Sequence, residues 1–218
     1  SVGCDKWMTQ CEKCPQLSSF PASMLLDSSR RNFNDKRRLF TSVDDMTIVT
    51  VSDWMREEMG RSFLKDCQFK VVHNGVDLNV FNVGADSSEV RERYGLGDKH
   101  LILGVTSIWC REKGWDDFME LATMINEDEA IVLVGVTQEQ MRKLPHNVTG
   151  IPRTENVAQL AALYSAATAL VNPTWQDNYP TVNLESISCG TPVITYRTGG
   201  SVESVCEDTG YVVEQGDV

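Results

Sequence analysis

From Leu101 to Val213 the sequence alternates short apolar runs with segments of helical spacing, and this alternation restricts the possible folds more than any other feature. Leu101-Ile102-Leu103-Gly104-Val105 is apolar throughout, the pattern of a strand covered on both faces. Ala130–Val134 repeats it, and Val148–Ile151, Ala169–Val171, Val193–Tyr196 and Tyr211–Val213 are shorter versions. Between them Trp115, Phe118, Ala122 and Ile125 fall at helical spacing, as do Val157, Leu160, Ala161 and Tyr164. Gln138–Lys143 and Val182–Ser188 read as further helices, with Thr154 or Asn156 capping the helix at 157 and Pro180 near the first position of the last one. Six strands alternating with helices predict an α/β fold, a doubly wound parallel sheet of Rossmann-like type.

The first part of the chain is less regular. Thr47–Val51 is β-branched and reads as a strand; Ser52 is a candidate N-cap, with Asp53 and Glu57 in the first turns of a helix to about Ser62. Phe69–Val72 reads as a second strand, ended by His73-Asn74-Gly75-Val76-Asp77. A small helix around Val90–Tyr94 and the turn Gly95-Leu96-Gly97 follow. The expected division is residues 1–80 and residues 81–218.

Charge narrows the function classes. The net charge is −11, and residues 81–218 carry all of it. Such a surface repels nucleic acid and anionic lipid at long range. A phosphorylated ligand would need cations gathered locally, and Arg111, Lys113, Arg153 and Arg197 are the candidates. No apolar run approaches the roughly 18 residues of a membrane helix, and SVGCDKWMTQ lacks an apolar signal core. The first residue is not Met, which fits a piece of a longer protein.

Of seven cysteines, Cys67, Cys110, Cys189 and Cys206 lie in apolar or helical stretches, which predicts buried thiols in a reducing compartment. Cys4, Cys11 and Cys14 have the spacing of three metal ligands. Structural zinc takes four, so free thiols and a partial zinc site both stay open. Asn147-Val148-Thr149 is a glycosylation sequon by pattern alone and is discounted.

In doubly wound sheets ligands bind beyond the carboxyl ends of the strands. The loop after the first of the six strands, Thr106 to Gly114, carries Arg111 and Lys113 to a helix start, where anions are favoured. The loop after Ala169–Val171 carries Asp177-Asn178-Tyr179-Pro180-Thr181. There Asn178 is a candidate cap and the amides of Thr181 and Val182 point back toward the loop. Glu185 lies about 7 Å into the helix, where it can face the same crevice. Each residue has a plainer reading: a surface lysine, a helix-start acid, a solvent-facing glutamate. No G-x-G-x-x-G or P-loop pattern, Asp-x-Asp pair or nucleophile elbow occurs. The residues by themselves point to a phosphate-ester crevice in an α/β domain.

Taken together, the motifs resemble the family 4 glycosyltransferases, retaining enzymes of the GT-B fold that use nucleotide-diphosphate sugars. Asp177-Asn-Tyr-Pro-Thr-Val-Asn-Leu-Glu185, running into Cys-Gly-Thr-Pro-Val and Thr-Gly-Gly, looks like that family's donor signature. Lys113-Gly114 matches its phosphate-binding lysine, Asn74-Gly75-Val76-Asp77 with Phe81 its interdomain connector, and Val49–Trp54 a segment late in its N-terminal domain. The cysteine cluster resembles one in a polysaccharide-synthesis branch. The resemblance implies that Lys113 neutralises the departing diphosphate and Asp177 contacts hydroxyls of the transferred sugar. It implies that Glu185 binds the ribose, that the backbone of Asn178, Tyr179, Pro180 and Thr181 cradles sugar and phosphate, and that Arg153 and Thr154 flank the base. Lys113 and Asp177 are then the catalytic pair. Asp177 stands where the family often has glutamate, and Ile108 where it usually has arginine; Arg111 is the candidate replacement.

The resemblance also implies the C-terminal half of a GT-B enzyme plus the end of its N-terminal domain. It implies no cofactor, no obligatory metal and a glycan or lipid-linked acceptor. A cytoplasmic location follows, at most peripheral to the inner face of the membrane, with no nucleic acid partner and no transmembrane segment. The chain alone is then expected to be inactive. Two rivals stay open: a GT-B epimerase, which would want acids and histidines in the cleft, and a non-catalytic sugar-nucleotide-binding module. His73, His100 and His146 are poorly spaced for the first.

Overall fold

The structure is a computed structural model in which residues 4–18, 22–23 and 26–217 are described. They form two compact units, divided between His73 and Asn74.

In the first unit a short 3₁₀ turn at Lys6–Met8 precedes helix α1 (Ser29–Thr41), strand β1 (Thr47–Thr50), helix α2 (Asp53–Gly60) and strand β2 (Gln68–Val71). β1 and β2 pair in parallel, Thr47 opposite Gln68 and Thr50 opposite Val71. Ser52 caps α2 as expected, its side chain accepting from the Met55 amide at 3.1 Å. α1 was not legible in the sequence. Only its Phe33 is buried, against Phe63 in an edge-to-face pair, so it lacks the apolar stripe that marks a helix.

The second unit contains helix α3 (Ser88–Arg93), strand β3 (His100–Val105), a 3₁₀ turn (Arg111–Lys113), helix α4 (Trp115–Leu121), strand β4 (Glu129–Val134), helix α5 (Gln138–Met141) and strand β5 (Val148–Ile151). It continues with helix α6 (Val157–Ala166), strand β6 (Ala169–Asn172), helix α7 (Thr181–Ser188), strand β7 (Val193–Tyr196), a 3₁₀ turn (Ser201–Ser204) and strand β8 (Gly210–Val213). The six strands make one parallel sheet in the order β5-β4-β3-β6-β7-β8. This is the doubly wound fold that the alternation predicts. Asn156, rather than Thr154, caps α6, accepting from the Gln159 amide at 2.8 Å.

Both sheet faces are covered, which explains the unbroken apolar runs. Leu101, Leu103, Val132 and Val134 point to the face packed by α6 and α7; Ile131 and Leu133 point to the face packed by α4. A Cβ at Gly104 would lie 2.6 Å from Phe118 Cζ, so the missing side chain is the space that α4 fills. Val76, Val80 and Phe81 pack into the core beside α6. The division falls at Asn74 and not at residue 81: Phe81 is buried in this unit, and Val76 and Val80 are half-buried against its core.

The expectation of buried thiols needs correction. Cys189 is buried and Cys67 half-buried, but Cys110 and Cys206 are exposed. Cys110 sits in the loop after β3, and Cys206 in a turn where it meets the Thr209 hydroxyl at 3.3 Å. The side chain of Asn147 donates to the Ala122 carbonyl at 2.7 Å, so the sequon asparagine serves as a structural tie.

Candidate functional site

Strand order reverses between β3 and β6: from this pair the chain winds outward to β4 and β5 on one side and to β7 and β8 on the other. The loops leaving adjacent carboxyl ends must diverge there, which opens a crevice. Both loops that the sequence singled out are the ones that border it.

The loop after β3 ends in the 3₁₀ turn Arg111–Lys113 and then Gly114, at φ +78°. A Cβ on Gly114 would lie 2.4 Å from Pro173 Cγ and 2.6 Å from the Pro173 carbonyl oxygen. Only glycine lets the first loop close onto the second here. The Trp175 amide donates to the Glu112 carbonyl at 2.9 Å, pinning the loops together one residue before Lys113. As a result Lys113 Nζ and Asp177 Oδ2 are 2.7 Å apart, although 64 residues separate them. The backbone of Asp177 is enclosed as well. Its carbonyl accepts from the Gly200 amide at 3.0 Å, and Gly199, at φ +50°, passes so close that a Cβ would come within 2.1 Å of that oxygen.

α7 begins directly beyond. Asn178 does not cap it, contrary to expectation: Pro180 occupies the N-cap position, and no side chain takes the first amides. The extended backbone of Pro180 (ψ 120°) sets Asn178 two residues outside the helix. The amides of Thr181 and Val182 have no acceptor among the described residues. Such orphan donors at a helix start attract anion oxygens. Tyr179 is buried, and its carbonyl accepts from the Asn74 side chain at 3.2 Å, joining the connector to this turn.

Glu185, the fifth residue of α7, is half-buried. Its Oε2 accepts from the Tyr164 hydroxyl at 2.8 Å. It is therefore not the free solvent-facing glutamate of the plainer reading.

One residue that holds this arrangement was missed. Asp117, in the first turn of α4, is buried and accepts from Trp175 Nε1 at 3.0 Å and from the Tyr196 hydroxyl at 2.6 Å. It ties α4, which follows Lys113, to the loop that carries Asp177 and to the end of β7. In sequence it was only a helix-start acid. Burial first, and then the Asp117 carboxylate, push the Tyr196 hydroxyl well above its ordinary pKa.

Arg153 and Thr154 follow β5, exposed and half-buried respectively. Arg111 borders a small pocket with Asp116, Asp117, Glu120, Trp175 and Gly216, an acidic setting. Arg197 is exposed and paired with Glu214 at 2.7 Å. His100 opens β3 and His146 precedes β5, so both lie at the amino end of the sheet, opposite the crevice. Among the described residues no group of three or more His, Cys, Asp or Glu side chains is arranged to hold a metal ion. No helix among them is long and apolar enough to cross a membrane.

The family profile of glycosyl transferases group 1 matches residues 99–218, more than half of the chain. The chain belongs to this family. WcaC of Escherichia coli strain K12, a glycosyl transferase provisionally assigned to colanic acid biosynthesis, is 24% identical over 217 residues, covering 99% of this chain and 52% of the relative. The N-acetyl-alpha-D-glucosaminyl L-malate synthase of Bacillus anthracis is 30% identical over 164 residues, covering 70% of this chain and 42% of that enzyme. The group 1 chain thus spans about half the length of the curated relatives it matches. Among solved structures, HepE of Anabaena in complex with UDP-glucose has a TM-score of 0.65 at 18% identity, covering 84% of this chain and 54% of that one. The group 1 domain therefore shares its fold with solved glycosyltransferases.

Proposed function

We propose that this chain supplies the donor site of a retaining, nucleotide-sugar-dependent glycosyltransferase of family 4, the second half of a GT-B enzyme. The observation that carries the reading is the Lys113–Asp177 pair, set beside the unpartnered Thr181 and Val182 amides at the strand reversal. A cation and an anion in contact, next to free helix-start donors, are the parts needed to receive a diphosphate joined to a polyol.

In this reading the diphosphate takes Lys113 from Asp177. The ammonium and the α7 amides then stabilise the negative charge that grows on phosphate oxygen as the bond to the sugar C1 breaks. Asp177, released, accepts from hydroxyls of the sugar. Glu185 accepts from the ribose, and Arg153 with Thr154 lies along the base. The acceptor hydroxyl bonds to C1 on the face the leaving group departs from, and its proton passes to the departing diphosphate oxygen. The protein supplies the needed cation itself, so the reading calls for no metal and no cofactor. A polysaccharide or lipid-linked glycan is the proposed acceptor and the cytoplasm the proposed site; the name of the E. coli relative, which places it in colanic acid biosynthesis, supports the first of these choices. Asp177 is one methylene shorter than glutamate, and its 2.7 Å contact with Lys113 supports the reading that the shorter acid can serve.

The test is calorimetric titration with UDP, GDP and ADP, beside a Lys113→Ala, Glu185→Ala double variant. Binding of one nucleotide, lost in the double variant, is expected and names the donor class. Failure of all three to bind would sink this reading.

A further inference from the structure

Tyr164 is completely buried, yet its hydroxyl ends on Glu185. Its ring and backbone are fixed from two other directions. Phe81, in the connector before α3, meets it edge-on with ring centroids 6.0 Å apart. Thr191, in the turn before β7, donates its hydroxyl to the Tyr164 carbonyl at 2.6 Å. The phenol is thus a donor that cannot swing away. Burial first, then the Glu185 charge, push its titration well above that of ordinary tyrosine, so it keeps its proton through the neutral range.

Glu185 by itself is a flexible ligand. Fixing a glutamate side chain costs it rotamer entropy. A donor on one carboxylate oxygen removes most of that freedom before any ligand arrives. Oε2 is held by Tyr164, while no described residue donates to Oε1. A carboxylate gripped on one oxygen and open on the other is suited to accept from a vicinal diol, whose two hydroxyls demand a single orientation.

We propose that Tyr164 is a positioning residue that presents Glu185 to the ribose hydroxyls of the nucleotide and so sets the preference for ribonucleoside over deoxyribonucleoside diphosphates. The inference rests on the reading of Glu185 as the ribose ligand. Tyr164 touches neither nucleotide nor sugar and acts through Glu185 alone.

The test compares whichever of UDP, GDP or ADP binds with its 2′-deoxy counterpart, on the chain as it stands. Wild type is expected to prefer the ribose form. Tyr164→Phe, which keeps the packed ring, should weaken the ribose form roughly fivefold to tenfold and leave the deoxy form unchanged. On a Glu185→Gln background the same Phe substitution should change neither, as befits a residue that works through its partner. Equal weakening of both forms, or an undiminished ribose preference in Tyr164→Phe, would overturn the positioning role. A wild type that binds both forms equally, with binding still lost in Lys113→Ala, would instead remove Glu185 as the ribose ligand, and this inference with it. No binding of any nucleotide overturns both. Thermal unfolding of each variant separates a folding defect from a change in selectivity.

Discussion

Lys113 Nζ lies 2.7 Å from Asp177 Oδ2, joining the loops that follow β3 and β6. The side chains are 35% and 22% exposed, so the pair contributes little to stability. Its interest lies in competition, because an arriving diphosphate must win Lys113 from a carboxylate already in place. Asp177→Asn removes the competitor. It should bind a nucleoside diphosphate as tightly as wild type or a few-fold tighter, yet lose affinity for the corresponding nucleotide sugar. Lys113→Ala should weaken both at least tenfold, the scale of one charge-assisted contact. Titration with each ligand separates the two roles, and a loss of diphosphate affinity in Asp177→Asn would count against them.

Asp117 holds two donors at once, the part-buried Trp175 Nε1 and the buried Tyr196 hydroxyl. Asp117→Ala should leave both without an acceptor and cost about 2–4 kcal/mol in urea unfolding. Asp117→Asn keeps the shape but turns a donor toward one of the two, so a smaller loss is expected. Combined with Trp175→Phe, the Asn variant should cost less than the separate losses together. Strict additivity would mean that the contact does not couple the two loops.

Gly199 sits at φ +50°, with a Cβ position 2.1 Å from the Asp177 carbonyl oxygen. Gly199→Ala must displace either the glycine turn or the Asp177 backbone. A stability loss of about 1–3 kcal/mol is expected from the backbone conformation alone. Donor affinity should fall by more than the stability change implies, because the acid itself is moved. Unfolding and titration on the same preparation check both, and unchanged titration would show that the turn yields instead.

Tyr164 and Tyr196 both titrate above their ordinary value of 10.0 in the folded state. Each group's folded pKa is raised, so its stabilising contribution is fully present below the unfolded pKa. It is lost as pH climbs from the unfolded pKa toward the folded one. Stability should therefore hold across neutral pH and fall steeply above about pH 10. Tyr164→Phe and Tyr196→Phe should each make that fall shallower. Urea midpoints measured across the alkaline range decide it, and an unchanged slope in both variants would refute it.

What could be read along the chain was whatever depends on local pattern. The six strands of the large sheet, the Ser52 cap and the helix starts at Trp115 and Val157 all follow from periodicity and capping chemistry. The helix Ser29–Thr41 escaped because a nearly solvent-bathed helix carries no apolar stripe. Asn178 looked like a cap because asparagine often is one. The proline two residues later took the position and left the amides open.

The sequence alone determined that this is a parallel α/β domain with a lysine loop and an acid loop, because burial on two faces and helix-start chemistry are written in neighbouring residues. Only the tertiary structure decided which loops face each other, since every strand order satisfies the same apolar pattern. It is the reversal between β3 and β6 that brings Lys113 to Asp177. Asp117 and Tyr164 were invisible for the same reason. Their partners lie 58, 79 and 21 residues away, and nothing in an acid at a helix start or an aromatic in a helix core names the side chain it will meet.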